Sequence, residues 1–166
     1  MINIIDANNL AGKLNLLGEE AFDEKLIRLL GQYKKSKYIL VFDGIDRMGD
    51  KYEMDNITVI RTPKDEFYKS ADDKIVELAK KYLHSGPLRR SESEASEGAK
   101  IITDDLEIIG RVEKIMNDSG GKIVLEKATL FAQKLKSYLE NKNEEKDLAE
   151  DETEEINDEL LNEWKI

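Results

Sequence analysis

Aspartate recurs in this chain where a run of apolar residues stops. Asp6 closes the run Ile2–Ile5, Asp43 closes YILVF (Tyr38–Phe42), and Asp104 and Asp105 follow Lys100–Thr103. A further pair, Asp72 and Asp73, opens Ser70–Leu83, where Ala71, Ile75, Leu78 and Tyr82 recur at helical spacing behind a candidate N-cap, Ser70. Carboxylates gathered in one place repel one another and raise each other's pKa, so a cluster of them is costly without a cation. Hard divalent cations take oxygen ligands. The chain has no cysteine and one histidine, His84, which turns the donor set away from zinc and towards Mg2+ or Mn2+. Two such ions about 3.5–4 Å apart can hold a phosphodiester, activate water and stabilise the leaving oxygen. Taken singly, each aspartate reads as a turn residue or a helix cap, and Asp72 and Asp73 as acids that complement a helix dipole. The coincidence of four such positions is what points to a site.

The elements needed to bring these residues together can be read from the apolar pattern. Strands are expected at Ile2–Ile5, Tyr38–Phe42, Asn56–Ile60, Lys100–Thr103 and Lys122–Leu125. Helices are expected over Glu20–Lys35, Ser70–Leu83, Leu106–Asn117 and Ala128–Glu140. Most of the strands are apolar throughout, and they alternate with helices. That pattern predicts an α/β domain with a mostly parallel five-stranded sheet covered on both faces. In such sheets ligands bind outside the carboxyl ends of the strands, where Asp6, Asp43 and Asp105 would converge.

With those motifs in order, the chain resembles the PIN-like nucleases. IIDANNLAG (Ile4–Gly12) is similar to their first motif, LVFDG (Leu40–Gly44) to their second acidic strand, SADDKIVELA (Ser70–Ala79) to the helix start of the flap-endonuclease and YacP-like NYN branches, and IITDDLEI (Ile101–Ile108) to the last acidic strand end. The resemblance covers about residues 1–140 and is closest to the YacP-like NYN proteins. It implies a three-layer PIN-like (Rossmann-like) domain and Mg- or Mn-dependent hydrolysis leaving a 5′-phosphate and a 3′-hydroxyl. It implies catalytic and metal-ligand roles for Asp6, Asp43, Asp72 and Asp105, with Asp73 and Asp104 as further metal ligands and Glu107 as an outer ligand. Asn9 matches the residue that orients the first aspartate or meets phosphate, and Thr103 the hydroxyl supporting the last acid. No helical arch or helix-hairpin-helix region is legible, which favours RNA over structured DNA as substrate.

Other residues fill out this reading. Arg47, Lys51, Arg61 and Lys64 follow the second and third strands, where they could meet substrate phosphates, and Arg89 and Arg90 sit in a Ser/Glu-rich loop over 84–99. Phe67, Tyr68 and Trp164 are aromatic, but packing explains each as well as base stacking does. Two rivals stand beside hydrolysis. One is a non-catalytic RNA-binding module on the same fold. The other is a haloacid-dehalogenase-type phosphatase suggested by VFDGID, whose chemistry needs two aspartates one residue apart, whereas Asp43 and Asp46 are separated by two.

The net charge is −10, and residues 141–166 contribute eleven acids against three lysines, so residues 1–140 carry only −2. The expected organisation is a nuclease domain over 1–140 and an acidic tail over 141–166, with Ile156, Leu160, Leu161 and Trp164 spaced for a short amphipathic helix that could dock on a protein partner. The opening MINIIDANNL reads as a strand rather than a secretory signal, and no run of about 18 apolar residues is present, so the expectation is a cytoplasmic chain with no membrane contact. All the motifs precede the tail. A chain ending at Glu140 is therefore expected to stay soluble and to unfold cooperatively when followed by circular dichroism; aggregation would mean that the tail covers an apolar face.

Overall fold

The computed structural model describes residues 1–33, 36–44, 49–63, 70–84 and 98–142. The chain divides into two compact units, Met1–Ala132 and Gln133–Ile166. In the first unit the elements run β1 (Ile2–Asp6), α1 (Ala7–Lys13), α2 (Phe22–Gln32), β2 (Lys37–Phe42), β3 (Asp50–Met54), β4 (Ile57–Arg61), α3 (Ala71–His84), β5 (Ala99–Ile102), α4 (Leu106–Ser119) and β6 (Val124–Glu126). A fifth helix, α5, covers residues 128–142 and crosses the boundary between the units. The remaining described part of the second unit, 133–142, is the rest of this helix.

The six strands lie in the order β3-β4-β2-β1-β5-β6. All pair in parallel except β3, which is antiparallel to β4. The sheet thus has one strand more than the five expected. The extra strand, DKYEM, is exposed or half-buried along its whole length, so no apolar run marks it. It is held by a hairpin in which Met54 pairs with Ile57 and Asp55 takes a positive φ of 49°, a conformation that aspartate tolerates in tight turns. Helix α1 was likewise not expected: seven residues containing two asparagines and a glycine carry little intrinsic helicity. Its stability comes from the Asp6 cap and from burying Ala7, Leu10 and Ala11.

Alternation along the strands divides the core into two. Ile4, Ile39, Val41 and Ile101 pack with Ala71, Ile75, Val76 and Ala79 of α3 and with Ile108 and Val112 of α4. Their neighbours Ile5, Leu40 and Ile102, also fully buried, face the other way. On that second side Phe42 meets Phe22 of α2 edge to face, and Tyr33 meets Phe131 of α5 in the same manner. The result is a three-layer α/β arrangement. From β1 the chain winds first to β2 and β4 and later returns to β5 on the opposite flank, so the winding reverses between β1 and β5. Crevices at such reversals are where open α/β sheets bind ligands.

No helix among the described residues is long and apolar enough to cross a membrane.

Two glycines test the backbone in opposite directions. Gly49, which leads into β3, has φ +62°, and a Cβ there would lie 2.9 Å from the Arg61 carbonyl oxygen and from Pro63. Gly110, within α4, has open space around it. In urea unfolding, Gly49→Ala is expected to lower stability by about 1–3 kcal/mol. Gly110→Ala is expected to raise it by about 0.5–1 kcal/mol.

Candidate functional site

The sheet register sets the level of each carboxylate. Asp6 lies opposite Val41, so Asp43 stands two residues farther along the same edge; Ile5 lies opposite Ile102, so Thr103 comes level with Asp6. Parity sets the direction. Asp6, Asp43 and Thr103 continue the alternation of Ile4, Val41 and Ile101, which all face α3. Helix α3 begins on that side, carrying Asp72 and Asp73 in its first turn.

Asp6 is buried, with 7% of its surface exposed. One oxygen accepts the backbone N–H of Asn9 at 3.0 Å, capping α1, and the other accepts the Thr103 hydroxyl at 3.0 Å. Burial pushes its carboxyl above the ordinary value, and the negative charges of Asp72 and Asp43 push the same way against those two hydrogen bonds. Thr103, 1% exposed, also accepts the backbone N–H of Asp105 at 3.0 Å. One hydroxyl thus joins the end of β1 to the start of α4 across the winding reversal.

Asp105 caps α4, its Oδ1 accepting the N–H groups of Glu107 at 2.7 Å and Ile108 at 3.3 Å. Asp43 accepts the N–H of Ala71 at 2.6 Å, so the first amide of α3 is met by a carboxylate from β2's end, where the sequence pointed to Ser70. The second oxygen of Asp43 accepts from the side-chain amide of Asn8 at 3.2 Å. Asp72 is raised by burial and by the charges of Asp105 and Asp43, with Glu107 adding to them; the Ser70 hydroxyl donates to it and opposes the shift.

Asp6, Asp43, Asp72, Asp105 and Glu107 therefore share one electrostatic neighbourhood. Two other acids are each met by a cation. Asp73 turns to Arg111 of α4, at 2.6 Å. Asp104 pairs with Lys13 at 3.1 Å and with the Thr129 hydroxyl; burial draws it upward, but these partners hold it below the ordinary value. On α3 consecutive residues point about 100° apart, so Asp72 and Asp73 face different ways, whereas Asp104 precedes the helix that Asp105 caps. Asn9 contributes its backbone to Asp6, while its side-chain oxygen accepts the Asp104 N–H at 3.4 Å. Asn8 and Ser70 also hold the acids, and Arg111 comes within 3.7 Å of Glu107. Of these three, only Ser70 is marked in the sequence, as a cap. Arg61 is drawn into structure: its guanidinium pairs with Asp23 and Asp50 and lies 5.8 and 5.5 Å from the Phe42 and Tyr52 ring centres. Arg47, Lys64, Phe67, Tyr68, Arg89, Arg90 and the tail residues Ile156, Leu160, Leu161 and Trp164 lie outside the described residues.

The donor set is all oxygen and suits a hard divalent cation. Among the described residues, no three acidic or histidine side chains stand together closely enough to hold one ion as they are. The fit is thus one of charge and donor type, and further oxygen donors such as water would have to complete any coordination. Comparison with protein-family models, with curated proteins and with solved structures finds no match to this chain.

The Thr103 hydroxyl provides a direct test. Thr103→Val keeps the volume but strips one bond from Asp6 and leaves the Asp105 N–H without its acceptor. A loss of about 1–3 kcal/mol is expected in chemical denaturation, with Thr103→Ser keeping most of the stability.

Proposed function

We propose that this chain is a metal-dependent endoribonuclease with a PIN-like domain, acting with Mg2+ or Mn2+ held by Asp6, Asp43, Asp72 and Asp105. The observation that carries this reading is Asp72. Asp6, Asp43 and Asp105 each accept a helix N-terminal amide and so have a structural use. Asp72 caps no helix among the described residues, and burial and the charges of Asp105 and Asp43 raise its carboxyl. A cation in their midst would relieve that repulsion. When bound, the ion supplies a water of lowered pKa and neutralises charge on a phosphodiester. The protein's own part is to fix the carboxylates: Thr103 and Asn9 hold Asp6, Asn8 and the Ala71 amide hold Asp43, and Ser70 holds Asp72. Asp73 and Asp104, engaged elsewhere, have no ligand role in this scheme. RNA is preferred as substrate because no helical arch or helix-hairpin-helix region is legible in the sequence.

The experiment is cleavage of labelled RNA and DNA by the full chain with Mn2+ or with chelator. Manganese-dependent scission of RNA is expected, and Asp72→Asn is expected to abolish it. The same substitution bears on stability. Folded Asp72 holds its proton more tightly than unfolded Asp72, so its contribution falls as pH rises from 3.8 through the raised value. Asp72→Asn should therefore raise the melting temperature in chelator by a few degrees at neutral pH, with the gain shrinking towards pH 4. A variant equally inactive but less stable at neutral pH would favour a purely structural role.

A further inference from the structure

A groove of about 390 Å3 opens beside the carboxylate cluster, between α3 and the β3–β4 hairpin. Its floor is apolar, with Ile60, Pro63 and Leu78, and its walls carry four cations, Lys51, Arg61, Lys74 and Lys81, against two carboxylates, Asp50 and Glu77. In a chain of net charge −10 this is a local reversal of sign. Thr62, in the groove's lining, accepts the N–H of Gly44, the residue after Asp43, at 3.3 Å. Lys74 lies two residues after Asp72, and Lys81 follows seven residues later on the same stripe of α3 as Leu78. That separation is about 10 Å along the helix.

We infer that this groove seats the sugar-phosphate backbone of single-stranded RNA next to the carboxylates, with Lys74 and Lys81 meeting separate phosphates of one strand; the inference rests on the nuclease reading. The charge order fits this occupant. A polyanion approaching four carboxylates needs cations beside them to hold it. The Lys74–Glu77 pair at 2.8 Å does not oppose this, since a pair open to solvent exchanges partners at little cost. Arg61, locked by Asp23 and Asp50, shapes the wall, leaving phosphate binding to the lysines.

The test is fluorescence anisotropy of a labelled oligouridine with the full chain, in chelator so that no cleavage intervenes. Lys74→Ala/Lys81→Ala is expected to weaken binding about tenfold at low salt and to flatten the log–log salt slope by about 1.4, or about 0.7 for each phosphate that is no longer neutralised. Lys74→Arg/Lys81→Arg should restore binding, which shows that charge at these positions, not a folding defect, is responsible. Lys114→Ala/Lys122→Ala removes the same charge from outside the groove and should leave affinity within about twofold, as screening limits distant charges. Unchanged binding in the Lys74/Lys81 alanine pair, or an equal loss in the control pair, overturns the groove assignment. Cleavage with Mn2+ is scored separately. Its absence from the parent defeats hydrolysis while groove binding is still read, whereas cleavage with lysine-independent binding defeats the groove alone.

Discussion

A carboxylate buried at the end of a central strand is the constraint around which this molecule is arranged. Asp6 sits where the winding of the sheet reverses, almost out of reach of solvent. An ionised group there is costly unless hydrogen bonds replace its water. Two donors do so, and each ties the aspartate to a different element: the Asn9 amide to α1 and the Thr103 hydroxyl to β5. Thr103 then receives the Asp105 N–H, so the first turn of α4 takes its position from the same group. Two stretches of chain 97 residues apart, β1–α1 and β5–α4, meet on one buried charge.

The central strands were legible because parallel strands covered on both faces are written as continuous apolar runs. YILVF and ITVI could hardly be placed otherwise. The two elements that sequence reasoning missed lack this signal for opposite reasons. DKYEM in β3 lies at the rim and buries no continuous face. ANNLAGK in α1 is too short to announce a helix and exists because Asp6 caps it and the sheet buries three of its residues. The last strand is displaced as well: the one expected at Lys122–Leu125 forms at Val124–Glu126, opposite Lys100–Ile102, where Lys100 pairs with Glu126.

At the site, the sequence indicated which acids stand at strand ends but not which way they point. Doublets were the source of ambiguity. Asp72–Asp73 and Asp104–Asp105 each look like two ligands, yet each splits between the cluster and an ion pair, with Arg111 in one case and Lys13 in the other. The basic partners lie far off in the chain, so nothing local marks the split. Parity, by contrast, was available: Asp6, Asp43 and Thr103 share the alternation of Ile4, Val41 and Ile101, and that alone assigns them to one face. Arg61 shows the limit of composition. As a cation after a strand it reads as a phosphate ligand, but two carboxylates and two rings claim it.

If the proposed nuclease activity holds, the double duty of the capping aspartates has a consequence for ancestry. Asp6, Asp43 and Asp105 hold up α1, α3 and α4 whether or not any chemistry takes place. A descendant that abandoned the chemistry would still be under selection to keep all three, because losing a cap costs about 1 kcal/mol each. Asp72 accepts no such amide among the described residues, and burial and the charges of Asp105 and Asp43 hold its carboxyl above the ordinary value. In a lineage drifting away from activity it is the residue that would change first, to asparagine or a neutral helix former. Three persistent aspartates are therefore a weak record of function, and the residue at position 72 is the informative one when active members of such a lineage are told from retired ones.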